Sequence, residues 1–308
     1  VDGIDVPLTD AIDQIQNTLD IAAFEMNNDL IYQAILDAHN RGVTVRIVTD
    51  DESGLEDEKD TSLRDLMAAG VPVVEDARSA LMHNKFMIMD ETAVWTGSWN
   101  YTVNGTYRNN NNTIVMQNPI AVKAYQDEFN EMFVDHEFGP TSSDQGLVTF
   151  TQDGTDVQIL FASEGNVIEA VANAVKEAKS DVRFMTFVFS SDSLGEAMIE
   201  AIGNGINVQG VFENRNSTAS WSMLPPIYCA GGNVRQDGNR YVLHHKVIII
   251  DDDTVVTGSF NFSGNASKSN DENLVIIKNK DIARIYLDEW QRMWDNAEDL
   301  EPGEVECE

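Results

Sequence analysis

Basic residues are scarce in this chain. Twenty lysines and arginines face 52 aspartates and glutamates over 308 residues, giving a formal net charge of −32. That surplus argues against loose electrostatic capture of polyanions or anionic membranes at low ionic strength. It suits a protein kept soluble in high salt, and it leaves room for a small basic patch at a site. Acidic runs such as 50–60 and 296–308 read as solvated surface. Cysteine is nearly absent. Cys229 and Cys307 are too few for a disulfide scaffold. They form one bridge pinning the tail if the protein is secreted, or are two unrelated thiols. There is no CxxC and no Cys/His cluster at zinc spacing, so the sequence implies neither a metal nor another cofactor. No apolar run approaches the roughly 20 residues of a membrane helix, which speaks against stable membrane insertion. A basic leader with an apolar stretch behind it is also lacking. The chain begins at Val1 rather than Met, so we expect an upstream segment to have been removed. Secretion or a cell-surface location is therefore favoured slightly over the cytoplasm.

Histidine is also scarce: His39, His83, His136, His244 and His245 are the full set. Two of them open nearly identical strings. HNKFMIMDETAVWTGSWNYT starts at residue 83 and HHKVIIIDDDTVVTGSFNFS at 244, a separation of 244 − 83 = 161 residues. The repeat extends outward on both sides. Residues 21–51 align with 183–214, 68–74 with 229–235, and 124–133 with 285–294. A period this long is a duplicated domain rather than a solenoid unit. At about 150 residues, each copy can bury its own core.

Within each copy, apolar strands alternate with amphipathic helices, which predicts an α/β fold with a parallel or mixed sheet and helices outside. We therefore expect two tandem homologous α/β/α half-domains related by a pseudo-two-fold axis. The first spans 1–140 and the second 157–300, joined by a turn-rich linker over 141–156 and followed by an acidic tail at 301–308.

On a strand, residues i and i+2 share a face. His83 therefore points with Lys85, and His244 with Lys246. Either half alone is a poor site, but facing each other the halves offer two imidazoles and two ammonium groups around one point. That set suits a phosphodiester: one imidazole attacks phosphorus, the other protonates the leaving oxygen, and the lysines hold the anionic oxygens. Asp90 and Asp251 can hold the imidazole rings in the required tautomer, although a turn would want aspartate there anyway. Ser98, Asn100, Ser259 and Asn261 can donate to phosphate oxygens. None of these steps needs a metal.

The two strings both fit HxKxxxxD followed by Gly-Ser-x-Asn, and the chain resembles the phospholipase D superfamily over nearly its whole length. The resemblance implies a two-step reaction through a covalent phosphohistidine. His83 is then the nucleophile, and His244 the acid and afterwards the base that activates water. It also points to Glu272, in the Glu-Asn that follows the second string, as a supporting residue. The matching pair in the first half is Asn111-Asn112, so the acid is missing there, and Glu272 should support one histidine more strongly. The asparagine run 109–112 otherwise reads as loop capping. His245 points away from His244 and reads as a packed residue.

Small undecorated members of that superfamily are commonly nucleases, so nucleic acid ranks first as substrate. Arg78, Arg108, Arg215, Arg235, Arg240 and Lys268 are available for a basic groove. A phospholipase D or phosphatidyl transferase acting on phospholipid ranks second. A phosphate-gripping module without catalysis is the reading from another class, and two intact motif sets speak against it. With both motifs in one chain, a monomer suffices.

Overall fold

The computed structural model describes residues 3–56, 61–141 and 146–307. In the first half, α1 (Asp5–Gln14) precedes β1 (Thr18–Ala23), α2 (Asp29–Asn40), β2 (Thr44–Thr49), α3 (Ser62–Ala68) and β3 (Val73–Glu75). The motif strand β4 (Lys85–Met89) follows, then β5 (Ala93–Gly97), α4 (Val103–Tyr107), β6 (Thr113–Met116) and α5 (Pro119–Asn130). The second half opens with a hairpin, β7 (Val148–Gln152) and β8 (Thr155–Ala162). It then repeats the order as α6 (Val167–Lys176), β9 (Asp181–Thr186), α7 (Asp192–Gly203), β10 (Asn207–Phe212), α8 (Leu224–Cys229) and β11 (Asn233–Gln236). It closes with β12 (Lys246–Ile250), β13 (Thr254–Gly258), α9 (Gly264–Lys268), β14 (Glu272–Lys278) and α10 (Lys280–Asn296).

Each half builds one mixed sheet, in the orders β3-β2-β1-β4-β5-β6 and β11-β10-β9-β12-β13-β14-β8-β7. The strand–helix–strand units run parallel, and the motif strands β4 and β12 lie antiparallel beside β1 and β9. Asn28 and Ser191 cap α2 and α7 by accepting backbone N–H groups of the first turn. Each helix is followed by a glycine at positive φ, Gly42 at 92° and Gly205 at 83°, a turn that costs any other residue strain.

Both sheets are covered on two sides, so their central strands are buried throughout. Along β4, Met87 and Met89 pack toward α1 and α2, while Phe86 and Ile88 enter the layer between the halves. That middle layer is built by Tyr125 and Phe129 of α5 and by Phe161 of β8. Tyr125 and Phe161 meet edge to face at 5.1 Å and are fully buried, each stabilising by about 1.5–3 kcal/mol.

The boundary differs from the expected one. Residues 148–152 are strand rather than linker, and pair with β8 around an Asp153-Gly154 turn in which both residues take positive φ. An Asp-Gly between alternating strands is a strong hairpin signal, and the run TFTQDGTDVQI carries it. Residues 142–145 of the expected linker lie outside the described residues. Cys229 and Cys307 are bridged, with their Cα atoms 5.4 Å apart, which ties the acidic tail to the end of α8.

Candidate active site

In sheets of this kind, the carboxyl ends of parallel strands form the natural crevice. Here the ends of β1 and β9 lie beside the starts of the antiparallel β4 and β12: Ala23 is paired with Lys85, and Thr186 with Lys246. The two crevices face each other. The backbone N–H of His83 donates to Asp271 of the second half at 3.0 Å, and that of His244 to Asn110 of the first at 2.9 Å. Each motif is thus locked to the opposite half before any side chain is considered.

The side chains cross over in the same way. His83 Nδ1 lies 2.7 Å from Glu272 Oε2. His244 Nδ1 lies 2.8 Å from Asn111 Oδ1 and 3.0 Å from the Ser98 carbonyl. These acceptors require an N–H at Nδ1, which leaves Nε2 as the free nitrogen of each ring. Lys85 and Lys246 donate to the carbonyls of their own motif histidines at 2.7 and 3.0 Å. Phe24 and Phe187, the first residues beyond β1 and β9, close the walls. Their rings sit 4.8 and 4.9 Å from the two imidazoles and 4.7 and 5.0 Å from the two ammonium groups.

Burial and like charge set the protonation. His83 and His244 are each held well below the ordinary histidine value, first by burial and then by the two lysines. Burial lowers Lys85 to about 8, with Glu272, Glu25 and Asp50 pulling the other way. Lys246 is lowered by burial and by Lys85. Glu272 is raised to about 7 by burial, against the pull of Lys85 and the hydrogen bonds from Ser259 and Asn270. The resting site therefore holds two neutral imidazoles with bare Nε2 atoms. An anionic phosphate placed among the lysines favours protonating one of them.

Of the residues expected from sequence, the fold brings His83, Lys85, His244, Lys246 and Glu272 to one point. Asp90 and Asp251 are not there. Both sit at the far ends of their strands, about 17 Å from the lysines at about 3.3 Å per residue. Asp90 accepts the backbone N–H groups of Gln16, Asn17 and Thr18 at 2.9, 2.7 and 3.0 Å. Asp251 does the same for Lys179, Ser180 and Asp181 at 2.9, 2.8 and 3.3 Å. The tautomer-fixing role expected of them belongs to Glu272 and Asn111. Ser98 and Ser259 are also reassigned. Both are fully buried, with Ser259 Oγ donating to Glu272 at 2.7 Å and Ser98 Oγ to Asn111 at 3.0 Å, so they position the residues behind the imidazoles. Asn100 and Asn261 are half-buried, and Asn100 donates to Glu25 at 3.1 Å.

Several residues at the site had no role in the sequence reading. Asn111 stood in a loop run, and its alignment with Glu272 was the one available signal. Phe24 and Phe187 are aligned aromatics ending aligned strands. Asp50 and Glu213, aligned acids just after β2 and β10, accept the backbone N–H groups of Met82 at 3.2 Å and Leu243 at 2.7 Å, the residues that lead into the two motifs. His245 is buried as expected, with Nε2 3.1 Å from Glu289. Trp99, Phe260 and Phe262 are core.

Of the residues expected to form a basic groove, three are paired with acids, whereas Arg108 and Arg240 border one pocket together with Arg292 and Asp237. Arg78 is paired with Asp76 and Asp271, Arg235 with Asp299 at 2.9 Å, and Arg215 with Glu213 at 3.6 Å.

Comparison with known proteins places these features in a family. The family model described as "Cardiolipin synthase, PLD-like domain" matches residues 8–133 and 171–294, which is one domain in each half. A mitochondrial cardiolipin hydrolase of Xenopus tropicalis is 37% identical over 133 residues, covering 42% of this chain and 60% of that protein. A phospholipase D of Rickettsia conorii is 31% identical over 134 residues, covering 44% of this chain and 67% of that protein. The chain thus spans about three-fifths of the length of the first of these relatives. In fold, the crystal structure of phosphatidylserine synthase from Haemophilus influenzae superposes with a TM-score of 0.71 at 12% identity. That match covers 98% of this chain and 86% of the other.

Proposed function

The chain belongs to the phospholipase D superfamily, and from that premise we propose that it is a metal-independent phosphodiesterase working through a phosphohistidine at His83. The observation that carries this is the crossed pairing of His83 with Glu272 and of His244 with Asn111 around two buried lysines. His83 Nε2 attacks phosphorus while Nδ1–H remains on Glu272, which offsets the positive charge that develops on the ring. The P–O bond to the leaving alcohol breaks, and His244 delivers a proton to that oxygen. Water then attacks phosphorus, His244 Nε2 takes its proton, and the P–N bond breaks to release a phosphomonoester. Lys85 and Lys246 hold the non-bridging oxygens in both steps.

For substrate, we propose a phospholipid head-group diester rather than nucleic acid. Non-specific DNA binding draws on several free Lys/Arg contacts to phosphates. Here Arg78 and Arg235 are taken up by carboxylates, and Glu25, Asp50 and Glu272 all act on Lys85. A single diester needs only the two lysines. The names of the cardiolipin hydrolase and phospholipase D relatives point the same way. Since one chain supplies both imidazoles, we propose a working monomer. The Cys229–Cys307 bridge supports placing it in an oxidising compartment at or outside the cell surface.

The test is cleavage, in excess EDTA at low and high KCl, of phosphatidylglycerol in mixed micelles and of single- and double-stranded DNA. Wild type and His83→Ala are compared. We expect lipid cleavage that vanishes in the variant, and intact DNA. DNA cut with lipid untouched would return the assignment to a nuclease. Activity that needs a divalent ion, or that survives in His83→Ala, would overturn the mechanism.

A further inference from the structure

Beneath each motif strand lies the same polar layer, and the two copies have diverged. In the first half, Asn84 is bonded to Glu128 and Asn273, and Tyr125 to Asn273, all of them buried. In the second half the corresponding residues are His245, Glu289, Asn112 and Tyr286. There the layer opens into a cavity of about 510 Å³ between β6, the β7–β8 hairpin, β14 and α10. That volume lies in the range of small-molecule sites. Its walls are apolar, formed chiefly by Ile114, Met116, Phe150, Val157, Ile277 and Ile282. On one wall Asn112 donates to the Tyr286 hydroxyl at 2.9 Å and His245 pairs with Glu289, while Gln117, Gln152, Asp153 and Thr155 add polar groups from the end of β6 and the hairpin. Ile285 at the rim is 68% exposed, where the first half carries the buried Ala124. His83, Lys85, His244 and Lys246 do not line this cavity, so it is separate from the reaction cleft. The two share a wall, because Asn111, which holds His244, also borders the cavity.

We propose that this cavity binds one aliphatic chain of a lipid, its uncharged polar end meeting Asn112, Tyr286 and His245. The choice of chain follows from the mainly apolar lining, into which the bonded Asn112, Tyr286 and His245 present one cluster of polar groups. The choice of an uncharged end follows from the lining itself, which among the described residues holds two carboxylates, Glu289 and Asp153, and no lysine or arginine to receive an anion. The proposal rests on the phospholipid reading for the origin of the chain, but the binding event itself needs no catalysis.

Binding is therefore measured by calorimetry on full-length His83→Ala in 2 M KCl. The probes are hexan-1-ol, octan-1-ol, decan-1-ol and decanoate below their aggregation limits, with Met116→Trp as the cavity-filling variant. We expect affinity to rise about fourfold per added methylene, the equivalent of about 0.8 kcal/mol per buried CH₂. Decanoate should bind at least tenfold more weakly than decan-1-ol. Met116→Trp should lose at least tenfold in affinity with an unchanged melting midpoint. Lack of saturable binding, or equal binding to Met116→Trp, would overturn the site, and equal binding of decanoate would overturn its polar end. In the active protein, a loss of kcat/KM in Met116→Trp for long-chain but not short-chain phosphatidylglycerol identifies the chain as the substrate's own. Unchanged kinetics with chain binding abolished identifies a separate lipid. A nuclease outcome in the cleavage test would leave the alcohol titration standing, so the two readings fail separately.

Discussion

At the residue scale, the two imidazoles are alike in burial and differ in what stands behind them. A carboxylate backs His83 and an amide backs His244, and this separates the two chemical steps. Bis(p-nitrophenyl) phosphate has a leaving group that needs no proton, so of the two histidines its first step depends on His83 alone. We predict that His244→Ala and Asn111→Ala keep the burst of p-nitrophenolate but slow steady-state turnover by about 10²-fold or more, the usual scale for general base loss. Label from ³²P-substrate should then accumulate on His83. A lost burst in both variants would reassign the nucleophile. The pH profile of that burst follows from the same residues. Glu272 must be ionised to accept from His83, and its carboxyl is raised to about 7, so the burst rises as pH climbs through about 7. Lys85 must be charged to hold phosphate, and it is lowered to about 8, so the burst falls above about 8. We expect a narrow maximum between these limits, an acid limb that disappears in a slower Glu272→Gln, and an alkaline limb that moves upward in Lys85→Arg.

At the element scale, Asp90 and Asp251 belong to the turns that follow the motif strands rather than to the chemistry. Both sit at positive φ, 48° and 51°, and each gathers three backbone N–H groups from the segment entering the neighbouring strand. Asp251→Ala should cost roughly 1–3 kcal/mol of stability, the worth of hydrogen bonds to a charged acceptor. It should leave kcat within about twofold, because no reacting atom lies near it. Hydrogen bonding holds both carboxyls below their ordinary value. Their contribution is therefore present at neutral pH and fades as pH falls through the folded-state value. Chemical denaturation at pH 7 and 3 checks the size and the sign, and a kcat loss of tenfold or more would return Asp251 to the active site.

These elements also show what a sequence can reveal. Strand periodicity and the repeat located His83, Lys85, His244 and Lys246, because a two-residue spacing on a strand fixes a shared face. The partner of each histidine lies some 130 to 190 residues away, at 133 for Asn111 and 189 for Glu272, and no local pattern reports such a contact. The aspartates that close each HxKxxxxD string looked catalytic because they travel with the histidines. They travel together because one strand needs a functional head and a capped tail.

At the scale of the whole molecule, the Cys229–Cys307 bridge closes a loop with a sequence separation of 78, which is worth roughly 2–4 kcal/mol in the usual range. The tail it holds is far in sequence from both motifs. Cys307→Ser should therefore lower the melting midpoint by several degrees without altering the burst. An unchanged midpoint would show the tail to be a passive appendage.

The net charge makes the larger demand on stability. With 52 acids against 20 bases, most carboxylates have no cation to pair with, and compaction brings them together. Screening weakens that repulsion over a Debye length of about 10 Å at 0.1 M salt and about 3 Å at 1 M. If repulsion limits stability, the melting midpoint should climb steeply up to about 1 M KCl and then flatten, with NaCl giving the same curve at equal ionic strength. Sucrose, which favours burial without screening charge, should not reproduce the steep part. A midpoint that rises steadily to several molar salt, or that follows sucrose equally well, would mean that general exclusion from the surface sets the response instead. The reaction cleft should be less sensitive than the fold. Its lysines and imidazoles are buried, and buried pairs are screened far less than exposed ones. Once the protein is folded, the burst rate should therefore vary little with salt, while the fraction folded varies strongly.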